Sequence, residues 1–269
     1  MFSDAFKSAL ASARRAQALM CSDLLRIALP NRCALCGNLS QHRVCGACDT
    51  APAETFGRRC PCCAATLESG ANLAQLCGAC LAAPPAFDAT LVFADYAEPF
   101  DTLAQALKFS GQAGLGRWFA DKLARQAMAA DLKPDLLIPV PLSAQRLALR
   151  GYNQSWEIAR PLARHLHVAT GATYLRRLRD TQPQTEINDA QQRRHNVRGA
   201  FAIDARRAPS LAGLHVGLVD DVMTSGATLA EIARLLKRAG VARVSNLVAL
   251  RTPSPQARLQ QARSAIRTH

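Results

Sequence analysis

The stretch GLVDDVMTSGATLAEIARLLKRAG, residues 217–240, determines the predicted fold. An apolar run ends in Asp220 and Asp221, a turn of small and hydroxyl residues follows, and the pattern then becomes helical. A strand that passes directly into a helix is the repeating unit of α/β proteins. Adjacent carboxylates at the end of a buried strand are costly unless a partner binds them. We therefore expect a ligand at this turn.

The helix predicted over residues 228–239 has clear start and end signals. Glu231 lies in its first turn, Lys237 and Arg238 lie in its last turn, and Gly240 follows, which suits the helix dipole and a glycine cap. The turn before the helix offers free amides and hydroxyls at a positive helix end, an arrangement that binds phosphate. The candidate phosphate-binding residues are Thr224, Ser225, Gly226, Ala227 and Thr228.

Alternating strand and helix patterns surround this unit. Strands are predicted at 89–94, 135–140, 215–220 and 243–250, and helices at 99–109, 116–130 and 153–167. This alternation predicts a mostly parallel sheet that is covered on both faces. Ligands of such sheets bind beyond the carboxyl ends of the strands, where the predicted loop 141–153 also falls.

Eight cysteines form four Cys-x-x-Cys pairs ahead of this domain. The proposed ligands are Cys33, Cys36, Cys45, Cys48, Cys60, Cys63, Cys77 and Cys80. Two sulfurs separated by two residues can bind one zinc ion from a tight turn, so the spacing predicts two structural Zn²⁺ sites. Sequential pairing would give two short zinc ribbons, and interleaved pairing would give a cross-brace. Thiol-rich sites without a recognisable export signal favour a reducing, cytoplasmic compartment.

Composition divides the chain into four predicted segments. We expect an amphipathic helix over 1–29, a cysteine module over 30–83, the α/β domain over 84–251 and a basic tail over 252–269. A mitochondrial-type presequence is the alternative interpretation of the first segment. No apolar run is long enough to span a membrane.

The net charge of +13 favours phosphate-bearing partners. These could be a phosphorylated small molecule or a nucleic acid. A genome that favours arginine and alanine codons is the alternative explanation of the charge.

The strand, acidic pair and Thr-Ser-Gly-x-Thr turn resemble the 5-phosphoribosyl-1-diphosphate (PRPP) motif of type I phosphoribosyltransferases. They are not a P-loop or a dinucleotide motif, because the glycine and lysine patterns of those motifs are missing. Further segments, together with the cysteine module, are similar to signatures of the ComF family. These segments are LKFSGQ at 107–112, IPVPLSAQRLALRGYNQS at 138–155, TQPQTEIN at 181–188 and RRHNVRGAF at 193–201.

This resemblance implies a type I phosphoribosyltransferase fold and a site for PRPP with Mg²⁺. Asp220 and Asp221 would contact the ribose hydroxyls, and the turn would bind the 5-phosphate. Arg150 is a further candidate catalytic residue. The implied diphosphate loop contains Arg146, Arg150, Gly151, Asn153 and Gln154. The implied flexible loop, which would close over the reaction, contains Thr181, Gln182, Gln184 and Thr185.

Three functions follow from these expectations. The first is an enzyme that transfers phosphoribose from PRPP to an unidentified acceptor, in a family associated with DNA uptake in natural transformation and with use of external DNA. The second is a non-catalytic PRPP-binding factor that contacts single-stranded DNA and a helicase or DNA-uptake partner. An aromatic content of 5% offers few stacking platforms for that role. A PRPP-sensing regulator ranks last because no helix-turn-helix is recognisable.

Overall fold

The computed structural model describes residues 31–50, 58–67, 75–109, 114–180 and 190–253. The predicted helix at 1–29 and nearly all of the predicted tail lie outside these ranges. The chain divides into two compact units, Met1–Ala51 and Pro52–His269. Within the described residues, no helix has the length and apolar character needed to cross a bilayer.

The described part of the first unit is a small hairpin followed by one short helix. Strands β1 (Asn31–Arg32) and β2 (Leu39–Ser40) pair antiparallel, and helix α1 (Gly46–Thr50) follows. Few apolar side chains are buried here, with Val44 as the main example at 3% exposed. A unit this small needs another source of stability, which four of its cysteines can supply through a metal.

The second unit contains a central parallel sheet. The strands of the second unit are β3 (Ala89–Asp95), β4 (Leu136–Pro139), β5 (Ala169–Thr170), β6 (Leu175–Arg177), β7 (Phe201–Ile203), β8 (His215–Met223) and β9 (Arg243–Arg251). Five of them pair in parallel in the order β3-β9-β8-β4-β5, while β6 and β7 form a separate antiparallel pair. The predicted α/β fold with a parallel sheet is confirmed.

Helices accompany these strands. They are α2 (Gly78–Ala82), α3 (Phe100–Phe109), α4 (Gly114–Ala129), α5 (Ala144–Arg150), α6 (Gln154–Leu166), α7 (Ala190–Val197) and α8 (Ala227–Arg238). The bounds of the four predicted helices at α3, α4, α6 and α8 agree with the structure to within two residues. On α8, the buried side chains Leu229, Ile232 and Leu236 lie on one face, as the pattern predicts.

Close packing of α4 on α6 sets the position of the start of α6. A Cβ on Gly116 would lie 2.6 Å from the backbone oxygen of Glu157, so only glycine permits this approach. The first residues of α6, Gln154 and Ser155, are buried, and the Ser155 hydroxyl reaches Asp220 near the end of β8. This contact places the amino end of α6 beside the carboxyl end of the sheet.

The prediction of a loop over 141–153 is wrong for its central part, which is helix α5. The Ser143 hydroxyl caps this helix by accepting a hydrogen bond from the Arg146 amide at 3.3 Å, and Gly151 ends it with φ +76°. Leu147 and Leu149 are exposed, so the segment lacks the apolar face by which helices are recognised. The polar helix α7 lies between β6 and β7, while residues 181–189, which include the implied flexible loop, lie outside the described ranges.

Candidate functional site

The two aspartates lie within the last residues of β8, in the middle of the sheet. The strand was predicted to end at Asp220, but it continues to Met223 and pairs with β9 along this stretch. The hydroxyl of Ser155 donates a hydrogen bond to Asp220 Oδ1 at 3.0 Å, and the amide of Asp221 donates to the same oxygen. Lys108 Nζ lies 3.3 Å from Asp221 Oδ2. The pair therefore has one neutral and one cationic neighbour.

These neighbours shift the two carboxyl groups in opposite directions. Burial, and then the charge of Asp221, raise the pKa of Asp220 to about 8. Burial alone would also raise the pKa of Asp221, but Lys108 outweighs it and the pKa is lowered. A proton bound by the pair therefore resides on Asp220, while Asp221 favours its ionised form. A ligand that donates hydrogen bonds to both carboxylates would displace that proton.

The turn between β8 and α8 forms the candidate phosphate site. Gly226 has φ +77° and is the residue before α8, which begins at Ala227. A Cβ at position 226 would lie 2.6 Å from Met223 Cε. Ser225 is exposed, and its Oγ accepts a weak hydrogen bond from the Ala227 amide at 3.4 Å. The turn presents the amino end of a helix of 12 residues beside the carboxylates.

Residues 143–155 divide into structural and exposed groups. Asn153 caps α6, since its Oδ1 accepts from the Ser155 amide and its Nδ2 donates to the Val140 oxygen, both at 3.0 Å. This capping role accounts for an asparagine at position 153 without any contact to a ligand. Gln154 is 1% exposed, and its Nε2 has no hydrogen-bond partner within the described residues. Arg150 and Gly151 lie at the carboxyl end of α5.

A second cationic side chain lies near Arg146, on the strand pair that the sequence did not predict. Arg146 Nε lies 3.8 Å from Asp180 Oδ1. Burial, and then the charge of Arg146, lower the pKa of Arg177, which also feels the charge of Asp220. Arg177 packs on the ring of Phe201, with 5.4 Å between Cζ and the ring centroid. Arg177 therefore lies close enough to Arg146 and to Asp220 to interact with the charge of each.

Sequence reasoning missed Lys108 and Ser155 as site residues. Lys108 lies in the segment 107–112 and Ser155 in the segment 138–155. The family resemblance therefore included both residues but gave neither of them a role. The Tyr152 hydroxyl donates to the backbone oxygen of Leu107, which joins the two segments next to Lys108. The predicted residues Thr181, Gln182, Gln184 and Thr185 lie outside the described residues.

The cysteines form two compact clusters. The sulfurs of Cys33, Cys36, Cys45 and Cys48 lie within 4.8 Å of one another, and so do those of Cys60, Cys63, Cys77 and Cys80. This grouping is the sequential pairing of the two predicted alternatives. Cys62 belongs to neither cluster, and its sulfur instead approaches the Phe87 oxygen at 3.8 Å.

The donor atoms of both clusters fit zinc. The Cys45 amide donates to Cys33 Sγ and the Cys77 amide donates to Cys60 Sγ, each at 3.3 Å. Burial opposes ionisation, but these amide hydrogen bonds lower the pKa of Cys33 to about 6 and that of Cys60 to about 7. Zinc binds thiolate, so amides that stabilise the ionised sulfur favour the metal. The two clusters are consistent with two structural zinc sites.

The comparisons with known proteins agree with both parts of this arrangement. Residues 24–81 match the double zinc ribbon domain, and residues 153–264 match the phosphoribosyl transferase domain. The DNA utilization protein YhgH of Escherichia coli O157:H7 is 36% identical over 228 residues, which are 81% of this chain and 96% of that protein. YhgH of Salmonella typhi is 33% identical over 226 residues, with the same two coverages. Competence protein F of Haemophilus influenzae is 36% identical over 173 residues, 62% of this chain and 75% of that protein.

Proposed function

Because this chain belongs to the family of the DNA utilization protein YhgH and competence protein F, we propose that it binds PRPP and transfers phosphoribose to an acceptor during DNA use or uptake. The chain has both a double zinc ribbon and a phosphoribosyltransferase domain. One observation carries the proposal. Asp220 and Asp221 lie six and five residues before Gly226, and the Gly226 turn directly follows the same strand. A single molecule with ribose hydroxyls and a 5-phosphate matches both.

Each part of PRPP has a matching group in this site. The ribose 2- and 3-hydroxyls donate to the carboxylates of Asp220 and Asp221, while Lys108 keeps Asp221 ionised. The 5-phosphate accepts hydrogen bonds at the amino end of α8. Arg146 and Arg150 on α5 provide cations for the diphosphate, and arginine binds such groups with two parallel hydrogen bonds.

Carboxylate oxygens are ligands that Mg²⁺ accepts, so the site also fits the metal complex of PRPP. Mg²⁺ would neutralise part of the diphosphate charge. In the transfer, the bond from the anomeric carbon to the diphosphate breaks, and diphosphate leaves with the electron pair. The acceptor bonds to the opposite face of the same carbon, with inversion.

A second candidate function is a non-catalytic PRPP-binding factor that contacts single-stranded DNA and a helicase or uptake partner. A cleft of about 1300 Å³ beside the turn favours it, because Arg198, Arg234 and Arg238 line the cleft. Cations of this kind neutralise DNA phosphates. Phe87 is the one Phe, Tyr or Trp side chain among the lining residues, and it is buried, which limits base stacking.

Calorimetric titration with PRPP and Mg²⁺, followed by diphosphate release with pooled nucleobases, separates the two candidates. We expect binding in the wild type and at least about tenfold weaker binding in Asp220→Asn/Asp221→Asn, since two charge-assisted hydrogen bonds are weakened. Asp131→Asn is the matched control, because Asp131 is an exposed carboxylate that pairs with Lys133.

Each outcome of this experiment selects one conclusion. Diphosphate release with any base supports the transferase, and binding without release supports the accessory factor. Unchanged affinity in the double variant contradicts the site. Absence of binding in the wild type contradicts both candidates.

A further inference from the structure

The second cysteine cluster and the candidate phosphate turn belong to the same compact unit, Pro52–His269. Arg251, the last residue of β9, pairs with Met223 at the end of β8. The backbone of Arg251 therefore lies beside Met223, the residue that precedes the turn. The Thr252 amide continues the pairing by donating to the Met223 oxygen at 2.9 Å.

The side chain of Arg251 contacts the turn and the cysteine cluster at the same time. Its Nη1 donates to the backbone oxygen of Thr224 at 2.7 Å, and its Nη2 lies 3.9 Å from Cys63 Sγ. A guanidinium is planar and has five donors in a fixed arrangement, so it can hold two acceptors in a defined relative position. Lysine has one ammonium group and cannot reproduce this bridge.

Phe87 provides a second contact between the same two places. Its backbone oxygen accepts from Cys62 Sγ at 3.8 Å, within the Cys60–Cys63 turn. Phe87 is 4% exposed, and its ring lies about 3.6 Å from the position that a Cβ on Gly226 would occupy. A shift of the cysteine turn would therefore move the surface against which Gly226 packs.

We propose that Arg251 is a positioning residue that couples the second cysteine cluster to the phosphate turn, so that metal at this cluster strengthens phosphate binding. The proposal rests on the proposed function for the phosphate itself. Metal held by Cys60, Cys63, Cys77 and Cys80 fixes Cys63 Sγ in place, which fixes one end of the Arg251 bridge. Loss of metal frees that sulfur, and the Thr224 carbonyl then loses a rigid anchor.

The first test measures the turn directly, through hydrogen exchange of the amides of residues 223–228 in the zinc-loaded protein. We expect protection at these amides to fall about tenfold in Arg251→Gln, because a charge-assisted hydrogen bond to Thr224 is lost. Arg251→Lys should restore only part of it. Arg59→Gln is the matched control, since Arg59 contacts Asp95 at 2.9 Å and the Ala64 oxygen at 3.1 Å in the same cysteine turn, and this variant keeps the Arg251 side chain and its hydrogen bond to Thr224.

The second test measures affinity for ribose 5-phosphate by calorimetry in a double-mutant cycle. Cys77→Ser removes one ligand of the second cluster and leaves Cys63 and Arg251 intact. We expect each of Cys77→Ser and Arg251→Gln to weaken binding about tenfold. The effect of Cys77→Ser should largely disappear in the Arg251→Gln background, because the two act through one connection. Circular dichroism and zinc content establish the fold of each variant.

Different results overturn different statements. Equal protection of residues 223–228 in wild type and Arg251→Gln overturns the coupling, as do independent, additive effects in the cycle. A similar loss of affinity in Arg59→Gln would indicate a general structural effect and would also overturn it. If the wild type binds neither ribose 5-phosphate nor PRPP, the proposed function and the affinity claim fail together, while the exchange data still decide whether Arg251 orders the turn.

Discussion

Asp220 and Asp221 are adjacent in sequence, yet their side chains have different partners. Asp220 accepts from Ser155 and from the amide of Asp221, whereas Asp221 faces Lys108. The result is one raised and one lowered pKa, as expected for two carboxylates that share a partly buried site. The free protein is thereby less stable than it could be, because an ionised Asp220 is unfavourable in the fold.

Asp220→Asn should therefore stabilise the protein while weakening ligand binding. The folded pKa of Asp220, about 8, lies above the ordinary value of 3.8, so native protein binds more protons than unfolded protein between these values. Stability contributed at this position falls as the pH rises through that window. Asparagine does not ionise, so the variant avoids this loss of stability at high pH. Relief of about 1 kcal/mol would raise Tm by about 2–4 °C in a domain of this size, with the gain at pH 8 and little at pH 4.

Thermal unfolding of Asp221→Asn over the same pH range is the control. The fold lowers the pKa of Asp221, so the ionised Asp221 carboxylate contributes to stability at neutral pH, and this contribution is lost in acid. We expect this variant to be destabilised at pH 7, because Lys108 loses its ionised partner. The same sign of effect in both variants would contradict the opposite assignment of the two carboxyl groups.

The unit formed by β8, the turn and α8 depends on the backbone of Gly226. Its φ of +77° is unfavourable for other residues, and a Cβ would also meet Met223 Cε at 2.6 Å. Both effects bear on the segment that we propose to hold the 5-phosphate. Met223 Cε is the end of a flexible side chain and can shift, so the positive φ is the main obstacle to a side chain at this position.

Gly226→Ala should lose phosphate binding and destabilise the chain by about 1–2 kcal/mol. Gly213→Ala is the matched control, since Gly213 has the same φ of +77° but no atom within 4 Å of its added Cβ. Urea unfolding and ribose 5-phosphate titration of both variants provide the comparison. We expect similar backbone costs and a loss of binding in Gly226→Ala alone. Equal affinities would indicate that the turn does not contact phosphate.

The same elements mark where sequence patterns succeed and fail. The strand, turn and helix at 215–239 were predictable because buried periodicity and end signals coincide there. Helix α5 was missed because its leucines, such as Leu149 at 80% exposed, form no buried face. Lys108 and Arg251 are separated from their partners by more than 20 residues in the chain, so their contacts depend on the order of strands and not on local pattern. The sequential grouping of the cysteines likewise required coordinates.

At the scale of the molecule, the described residues of each compact unit contain one cysteine cluster, and the two clusters differ in burial. Cys36 is exposed and Cys45 and Cys48 are half-buried in the first. In the second, Cys60, Cys63 and Cys80 are buried. A metal that water and chelators reach easily is released sooner than one enclosed by the core.

We therefore expect about two zinc ions per chain, released in two kinetic phases by a chromogenic chelator. The first cluster should lose its ion at least about tenfold faster, because local opening there requires little disruption of buried structure. Cys36→Ser should abolish the fast phase, and Cys77→Ser should abolish the slow one. A single phase with wild-type stoichiometry, or a folded protein without metal, would contradict this assignment.

Strand β3 lies at one edge of the five-stranded sheet, and its outer side meets the Cys60–Cys63 turn through a hydrogen bond from the Thr90 amide to the Pro61 oxygen at 3.1 Å. The opposite edge is β5, which has only two residues. Long uncovered edges recruit strands from other molecules and lead to aggregation. The Cys60–Cys63 turn covers part of this edge, and we therefore expect a chain deprived of zinc to form intermolecular β-structure more readily.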